Sequence, residues 1–124
     1  MNNKKLGTAF EKEFCNLLAS RGWWVHFITP APNGGQPFDV IAVKGGKAMA
    51  FDCKTSSTHI FPLTRLEENQ IFAFEKWLAC GNEEPQVAVK YNDNIYLIPY
   101  RKLKQYGRVD LDRESSARLE QGRL

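Results

Sequence analysis

A short turn between two apolar segments constrains the fold of this chain more than any other feature. Phe38 to Val43 and Ala48 to Lys54 flank Lys44-Gly45-Gly46-Lys47, and Gly-Gly is a strong signal for a two-residue hairpin turn. With the two glycines in the turn, Asp39 on one strand faces Asp52 on the other. Facing residues of an antiparallel pair have side chains on the same side of the sheet. The hairpin therefore predicts two neighbouring carboxylates.

Neighbouring carboxylates at this height of the hairpin predict a cation site. They repel each other, and Mg²⁺ or Mn²⁺ removes the repulsion because these ions prefer carboxylate oxygens and water. Lys54 follows Asp52 by two residues, so strand alternation places its ammonium on the same side. Such a set can bind a metal, orient a water and offset charge on a phosphate oxygen. The alternative is that Asp39 ends a loop and that Asp52 and Lys54 form a surface pair.

Apolar spacing and turn residues predict the remaining elements. They are a helix over Leu6 to Arg21, a strand over Trp23 to Ile28, a loop over Pro30 to Pro37, a helix from a capping box at Thr64 to Glu67 as far as Ala79 or Cys80, and a hairpin of Gln86 to Tyr91 with Ile95 to Tyr100. This order predicts an α/β fold in which helices flank a central mixed sheet.

Three more polar residues are candidates for the same site. Glu11 lies at one edge of the apolar face of the first helix and Glu13 at the other, so spacing does not choose between them. Either acid is also consistent with a solvated helix edge. Gln70 shares a face of the second helix with Phe74, whereas Phe72 points to the opposite face. A buried amide needs partners, which a polar site or the backbone would supply.

Length and composition indicate one globular domain without a membrane span. The 124 residues are 43% hydrophobic and 25% charged, and the expected domain covers residues 1–124, with a core over about 6–100 and a basic extension over 101–124. The chain contains no apolar run of about 18 residues and no signal-like N-terminus, which favours an intracellular, cytoplasmic protein. Cys15, Cys53 and Cys80 are expected to be reduced thiols.

The net charge of +3 is concentrated at the two ends of the chain. Lys4 and Lys5 precede the first helix, and residues 101–124 hold seven basic side chains against four acids. The candidate phosphate-binding residues are Lys4, Lys5, Arg101, Lys102, Lys104 and Arg108. A solvated, salt-bridged terminal segment explains the same pattern equally well.

The motifs together resemble those of a known nuclease family. The matching segments are Gly7 to Glu11, Pro37 to Val43, Ala50 to Thr55, Phe61 to Leu63, and Gln70. They resemble the RecU-type Holliday junction resolvases of the PD-(D/E)XK nuclease superfamily. The archaeal Hjc resolvases share the Gly-x-x-x-Glu opening and the Asp followed by (Asp/Glu)-x-Lys. The resemblance covers the chain from about Leu6 to Tyr100.

The resemblance implies a restriction-endonuclease-like core and a homodimeric, Mg²⁺- or Mn²⁺-dependent endonuclease that nicks two strands of a four-way DNA junction. The site residues it implies are Glu11, Asp39, Asp52, Lys54 and Gln70, with metal bound by Asp39, Asp52, the Cys53 backbone carbonyl and, directly or through a water, Glu11. Lys54 would orient the water and stabilise the pentavalent phosphate. The basic residues at both ends would contact DNA.

Three features depart from the resolvase pattern. The second acid is Asp52, where these resolvases more usually have Glu, and the segment from Val25 to Asp39 is shorter than the projecting stalk of RecU proteins. The basic N-terminal arm is reduced to Lys4 and Lys5, and the compact size would fit a phage-encoded or nucleoid-associated protein. Two alternatives remain: another PD-(D/E)XK nuclease acting on duplex or flap DNA, and a non-catalytic DNA-binding module on the same fold.

Overall fold

The structure, a computed structural model, describes residues 3–29, 36–114, 118, 119 and 124, with side chains from residue 7 onwards. Its elements are α1 (Asn3–Ser20), β1 (Trp24–Phe27), β2 (Val40–Lys44), β3 (Lys47–Thr55), β4 (Ile60–Pro62), α2 (Glu68–Ala79), β5 (Gln86–Tyr91), β6 (Asn94–Pro99), α3 (Tyr100–Tyr106) and β7 (Arg108–Asp110). Residues 30–35 of the predicted loop lie outside this description. Among the described helices, none is long and apolar enough to cross a membrane.

The central sheet is mixed, as the sequence predicts. Over the described residues five strands pair in the order β1-β2-β3-β5-β6, and β4 pairs with β7 in a separate two-stranded sheet. The β3–β5 pair is parallel and the other pairs are antiparallel. A parallel pair needs a crossover connection, which here contains α2. The prediction of an α/β fold with a central mixed sheet flanked by helices is confirmed.

Apolar residues cover both faces of this sheet. On one face, Phe14 of α1 packs edge-on against Phe51 of β3, with ring centroids 5.0 Å apart. On the other, Phe74 of α2 belongs to the cluster that contains Ala50. Full burial of such an aromatic side chain stabilises the fold by about 1.5–3 kcal/mol. Since neighbouring residues of β3 point to opposite faces, Asp52 lies on the α2 side with Ala50.

The hairpin of β2 and β3 has the predicted register. Paired residues run from Lys44 opposite Lys47 to Val40 opposite Phe51. The two turn glycines have φ angles of 59° and 79°, which a tight hairpin turn of this kind requires and glycine adopts without strain. The local chemistry of the turn therefore fixes which residues of the two strands meet.

The register prediction is wrong at one position, Asp39. Its N–H donates to the carbonyl of Phe51 at 3.1 Å, so Asp39 is shifted by one residue from the predicted pairing with Asp52. The paired strand begins only at Val40. Asp39 leaves the ladder because its carboxylate turns to the backbone N–H of Cys53, which lies 2.8 Å from Oδ2. The bend at Asp39 still leaves its carboxylate next to that of Asp52.

The start of α2 also differs from the prediction. A 3-10 turn covers Leu63–Arg65, and Leu66 is extended with φ −87° and ψ 134°. The capping box is formed by Glu67 and Gln70, not by Thr64 and Glu67. Leu66 is 4% exposed, and the extended backbone that accompanies its burial in the core separates the 3-10 turn from the helix. The helix ends at Ala79, as predicted.

The folded core extends beyond residue 100, where the sequence analysis placed its end. Leu103, Val109 and Leu111 are buried in the same cluster as Phe74. They belong to α3, to β7 and to a 3-10 turn at Leu111–Arg113. The apolar residues at these positions alternate with charged ones, so the net charge of the segment concealed its buried side.

Candidate metal centre and active site

Asp39 and Asp52 lie together where β2 begins beside β3. Asp39 is 5% exposed and Asp52 is fully buried. Burial, followed by the neighbouring Asp39 carboxylate, raises the pKa of Asp52 well above its ordinary value, and Lys54 opposes this rise. The free protein thus contains two acids that resist being ionised together, which is the arrangement predicted from the hairpin.

Lys54 and Gln70 surround the carboxylate of Asp52. The Nε2 of Gln70 donates to Oδ1 at 2.9 Å, and the Nζ of Lys54 donates to the Oε1 of Gln70 at 3.2 Å. The same Nζ lies 3.2 Å from Oδ2 of Asp52. That contact is ionic only, because Oδ2 accepts no hydrogen bond from any described residue. One buried carboxylate oxygen is left with unused acceptor capacity.

Gln70 belongs to the helix and to the site at once. Its Oε1 accepts the backbone N–H of Glu67 at 2.9 Å, and the Glu67 side chain accepts the backbone N–H of Gln70 in return. This capping box fixes the side chain that contacts Asp52 and Lys54. The packing face of Gln70 had identified it as a candidate, but its capping role was missed.

The structure separates the two glutamates that spacing could not distinguish. Burial raises the pKa of Glu11 to about 7, with a further contribution from Asp39 against the effect of Lys54. Glu13 instead binds the Nζ of Lys90 through both carboxylate oxygens, at 2.7 and 2.9 Å. Glu11 thus lies within electrostatic reach of Asp39 and Lys54, Glu13 is occupied by Lys90, and a role of Glu11 in the site stays a prediction.

The residues present fit a hard divalent cation. Carboxylate oxygens are the ligands that Mg²⁺ and Mn²⁺ prefer, and Asp52 offers an oxygen without a hydrogen bond. The N–H of Cys53 points to Asp39, and the carbonyl of an extended residue points to the same side of the strand. The Cys53 side chain packs in the apolar cluster with Phe14 of α1, on the opposite face of the sheet from Asp52, so its sulfur is no ligand of this site.

The predicted basic residues of the C-terminal segment are not part of this site. Arg101 pairs with Glu84 at 3.5 Å, Lys102 with Glu114 at 2.7 Å and Lys104 with Glu75 at 2.7 Å. Arg108 is exposed, and the side chains of Lys4 and Lys5 lie outside the described residues. These three residues are salt-bridged within the fold, and their contact with DNA stays a prediction. Their partners lie 12 to 29 positions away in the sequence, so no local sequence signal revealed them.

A second group could also hold a cation, and sequence reasoning missed it. Ligand atoms of His59, Asp110 and Asp112 lie within 4.8 Å of one another. The Nδ1 of His59 is 3.0 Å from Asp110 and 3.8 Å from Asp112. His59 had been set aside as a loop residue, because the two acids follow it only some fifty positions later. Unlike the acid pair, this group has two exposed members, His59 and Asp112, around a half-buried Asp110, and His59 forms ion pairs with both acids.

The fold and the hairpin define the class of the protein. A mixed sheet flanked by helices, with Asp39 at the start of the hairpin and Asp52-x-Lys54 on its second strand, is the restriction-endonuclease-like nuclease fold. The chain belongs to the archaeal Holliday junction resolvase (Hjc) family, whose model matches residues 2–122. Of the two resolvase groups that the motifs resemble, the archaeal one is thus the family of this chain.

Two relatives show the extent of the similarity. The chain is 28% identical over 92 residues to the crossover junction endodeoxyribonuclease Hjc of Methanocaldococcus jannaschii, which is 74% of this chain and 64% of that protein. It is also similar to the solved structure of Hjc from Archaeoglobus fulgidus, a Holliday junction resolvase from an archaeal hyperthermophile. That match has a TM-score of 0.70 and 21% identity, and covers 92% of this chain and 95% of the other.

Proposed function

We propose that this protein is a structure-selective endonuclease that uses Mg²⁺ or Mn²⁺ to hydrolyse phosphodiester bonds in four-way DNA junctions. The observation that carries the proposal is the buried acid pair Asp39 and Asp52 beside Lys54, in a chain of the Hjc family. Two acids that repel each other also repel phosphate, so a module that only binds DNA gains nothing from them. The names of both relatives support junction DNA as the substrate.

The metal ligands in this proposal are Asp39, Asp52, the carbonyl of Cys53 and, directly or through a water, Glu11. When bound, the cation would polarise the phosphate and lower the pKa of a water that attacks it. Asp39 is ready for this role because the N–H of Cys53 already orients its carboxylate. The pKa of Glu11 is about 7, so a nearby cation would favour its ionised form. Ionised Glu11 would then add a negative charge to the metal site.

Lys54 offsets the charge of the reacting phosphate, and Gln70 holds Lys54 in position. The Nζ of Lys54 is fixed by Gln70 and Asp52, so its ammonium is aimed before DNA arrives. A fixed cation offsets the negative charge that develops on the phosphate oxygens, at no reorganisation cost during the reaction. Gln70 fixes Lys54 and Asp52 relative to each other, which makes it a positioning residue.

In this proposal the whole chain is one intracellular nuclease domain. The enzyme would act as a homodimer. A four-way junction is resolved by two symmetric nicks, and each chain provides one site, so two copies related by a two-fold axis match the substrate. Phe72 is 69% exposed beside a cavity of about 360 Å³ that Phe38 and Trp77 also line. A large exposed aromatic at an apolar groove is a suitable contact for a second copy.

Cleavage of a synthetic four-way junction tests this function, with linear duplex and flap DNA of the same sequence as competing substrates. Wild type, Asp39→Asn and Asp52→Asn would each be assayed with Mg²⁺, with Mn²⁺ and with EDTA. Glu83→Gln is the matched control, because it removes an exposed acid away from the site. Wild type and the control are expected to make paired nicks on opposite strands when metal is present. The two Asp variants should make no nicks, and no protein should cut in EDTA.

Two other outcomes would change the proposal. Equal metal-dependent cutting of linear duplex would leave a nuclease and remove the junction selectivity. Binding of DNA without cutting, in either metal, would favour a non-catalytic DNA-binding module.

A further inference from the structure

Lys54 and Cys53 of the proposed site line a groove of about 790 Å³ at the end of β3. Its lining includes Lys54, Arg65 and Lys90, together with the loop that follows β3. Among its lining residues are three bases and one acid, Asp93. A groove of this charge next to a cation site suits a polyanionic strand.

Arg65 is held in a single arrangement although it is exposed. Its Nη2 donates to the carbonyl of Thr55 at 2.8 Å, and its guanidinium lies over the ring of Phe61 with 5.3 Å to the centroid. Phe61 is fully buried, so the surface under the guanidinium is rigid. A guanidinium has five N–H donors, and the Thr55 carbonyl uses one side of it. The remaining donors are fixed in direction.

The charge of Arg65 is not neutralised by any carboxylate of the part of the chain that the structure describes. Across the described residues, no carboxylate forms an ion pair with Arg65, whereas Lys90 of the same groove is bound by Glu13. Arg101, of the C-terminal segment, is likewise paired, with Glu84. The contacts of Arg65 are to a carbonyl and an aromatic face, which orient a guanidinium and leave its charge available. A fixed planar guanidinium is suited to bidentate phosphate binding.

We propose that Arg65 binds the phosphate next to the scissile one on the strand that is cut. Thr55, whose carbonyl fixes Arg65, directly follows Lys54, and the side chains of Lys54 and Arg65 line the same groove. Arg65 thereby sets the register of the strand over Asp39 and Asp52. This inference rests on the proposed nuclease function and adds a substrate-binding residue that none of the motifs includes.

Binding of the four-way junction in EDTA, measured against salt concentration, tests the role of Arg65 without requiring cleavage. Arg65→Ala should weaken binding about tenfold or more and reduce the slope of log K against log salt by about 0.9, the value for one phosphate contact. Lys47→Ala is the control, because it removes an exposed charge at the far turn of the hairpin. It should leave both quantities unchanged.

Arg65→Gln and Arg65→Lys separate phosphate binding from support of the loop. Glutamine can still donate to Thr55 but has no charge, so it should bind as weakly as alanine, while lysine should restore part of the salt slope. In cleavage assays the alanine variant should raise KM and leave kcat near that of wild type. Full binding by Arg65→Gln, or an unchanged slope for Arg65→Ala, would overturn the assignment and leave the nuclease proposal intact. Failure of wild type to bind any DNA would overturn both.

Discussion

The metal-free protein disfavours the ionised form of Asp52. It is fully buried, one oxygen accepts a hydrogen bond from Gln70, and the other accepts none from the described residues. Asp39 adds repulsion, and Lys54 offsets it only in part. A residue that violates the rules of core packing in this way is retained for function at a cost in stability.

Replacement of Asp52 by asparagine should therefore stabilise the metal-free protein. The amide keeps an acceptor for Gln70 and gains an N–H that can donate to Asp39, so the free energy of unfolding in EDTA should rise by about 1 kcal/mol or more. Urea denaturation measures this directly. A lower metal-free stability in Asp52→Asn would contradict the view that the acid pair is strained.

The same variant should lose the response of stability to metal. Mn²⁺ at about a hundred times its Kd should stabilise wild type by about 2.7 kcal/mol. His59→Gln removes a ligand of the exposed second group and should keep this gain, whereas Asp52→Asn should abolish it. If His59→Gln were the variant that loses the gain, the cation would bind at the second group instead.

The first turn of α2 lies at the proposed active site, because Gln70 caps the helix and also contacts Asp52 and Lys54. The stability of the helix and the activity of the site are therefore linked. Gln70→Ala removes the bonds to Asp52, Lys54 and the Glu67 N–H, and should lower the free energy of unfolding by about 1–3 kcal/mol. Activity should fall about 10–100-fold, as for other residues that orient metal ligands. Urea denaturation and junction cleavage measure the two effects.

Glu67→Ala is the matched control for this prediction. It removes the carboxylate half of the capping box and leaves the contacts of Gln70 with the site in place. It should cost about 1 kcal/mol of stability and little activity. Equal loss of activity in both variants would show that the helix end, not the glutamine, is what the site requires.

The small sheet of β4 and β7 is joined by an ion pair that depends on pH. The hydrogen bond to Asp110 raises the pKa of His59 above 6.5, and the same contact lowers the pKa of Asp110. The stabilisation by protonated His59 is fully present below pH 6.5 and is lost as pH rises through its folded pKa. Titration of the imidazole by NMR should show this raised pKa, and Asp110→Asn should return it towards 6.5.

The part of the site that the sequence predicts is the part built from local structure. Gly45 and Gly46 fix the hairpin, so the neighbourhood of Asp39 and Asp52 follows from turn chemistry and strand alternation. The bend at Asp39 does not follow, because it depends on a hydrogen bond from the side chain to Cys53. Such a bond is decided by atoms at the strand end, which residue patterns do not describe.

Contacts between distant segments could not be predicted. Glu13 and Lys90 are 77 positions apart, and His59 and Asp110 are 51 apart. Their pairing depends on how whole elements dock, so neither the choice of Glu11 over Glu13 nor the second ligand group had a signal in residue spacing. The basic C-terminal segment was assigned to DNA on charge alone, and its pairing with Glu75, Glu84 and Glu114 arises only in the fold.

At the scale of the whole molecule, Phe72 should hold two copies together. Wild type is expected to sediment with twice the 14.2 kDa mass of one chain, and Phe72→Ser as a single chain with uncoupled nicks at the junction. Trp24→Ser is the control, since Trp24 is an equally large residue, 62% exposed on the edge strand β1. Dissociation by Trp24→Ser, with Phe72→Ser still paired, would move the contact to that edge.

The hairpin that joins Asp39 to Asp52 has a consequence for the order of folding. Hairpins form in about 1–10 μs, whereas the parallel pairing of β3 with β5 must wait for the crossover through α2 to close. The repulsion between the two acids therefore opposes one of the earliest steps of the pathway. A divalent cation present from the start should accelerate refolding and change the unfolding rate little, because it stabilises contacts that already exist in the transition state.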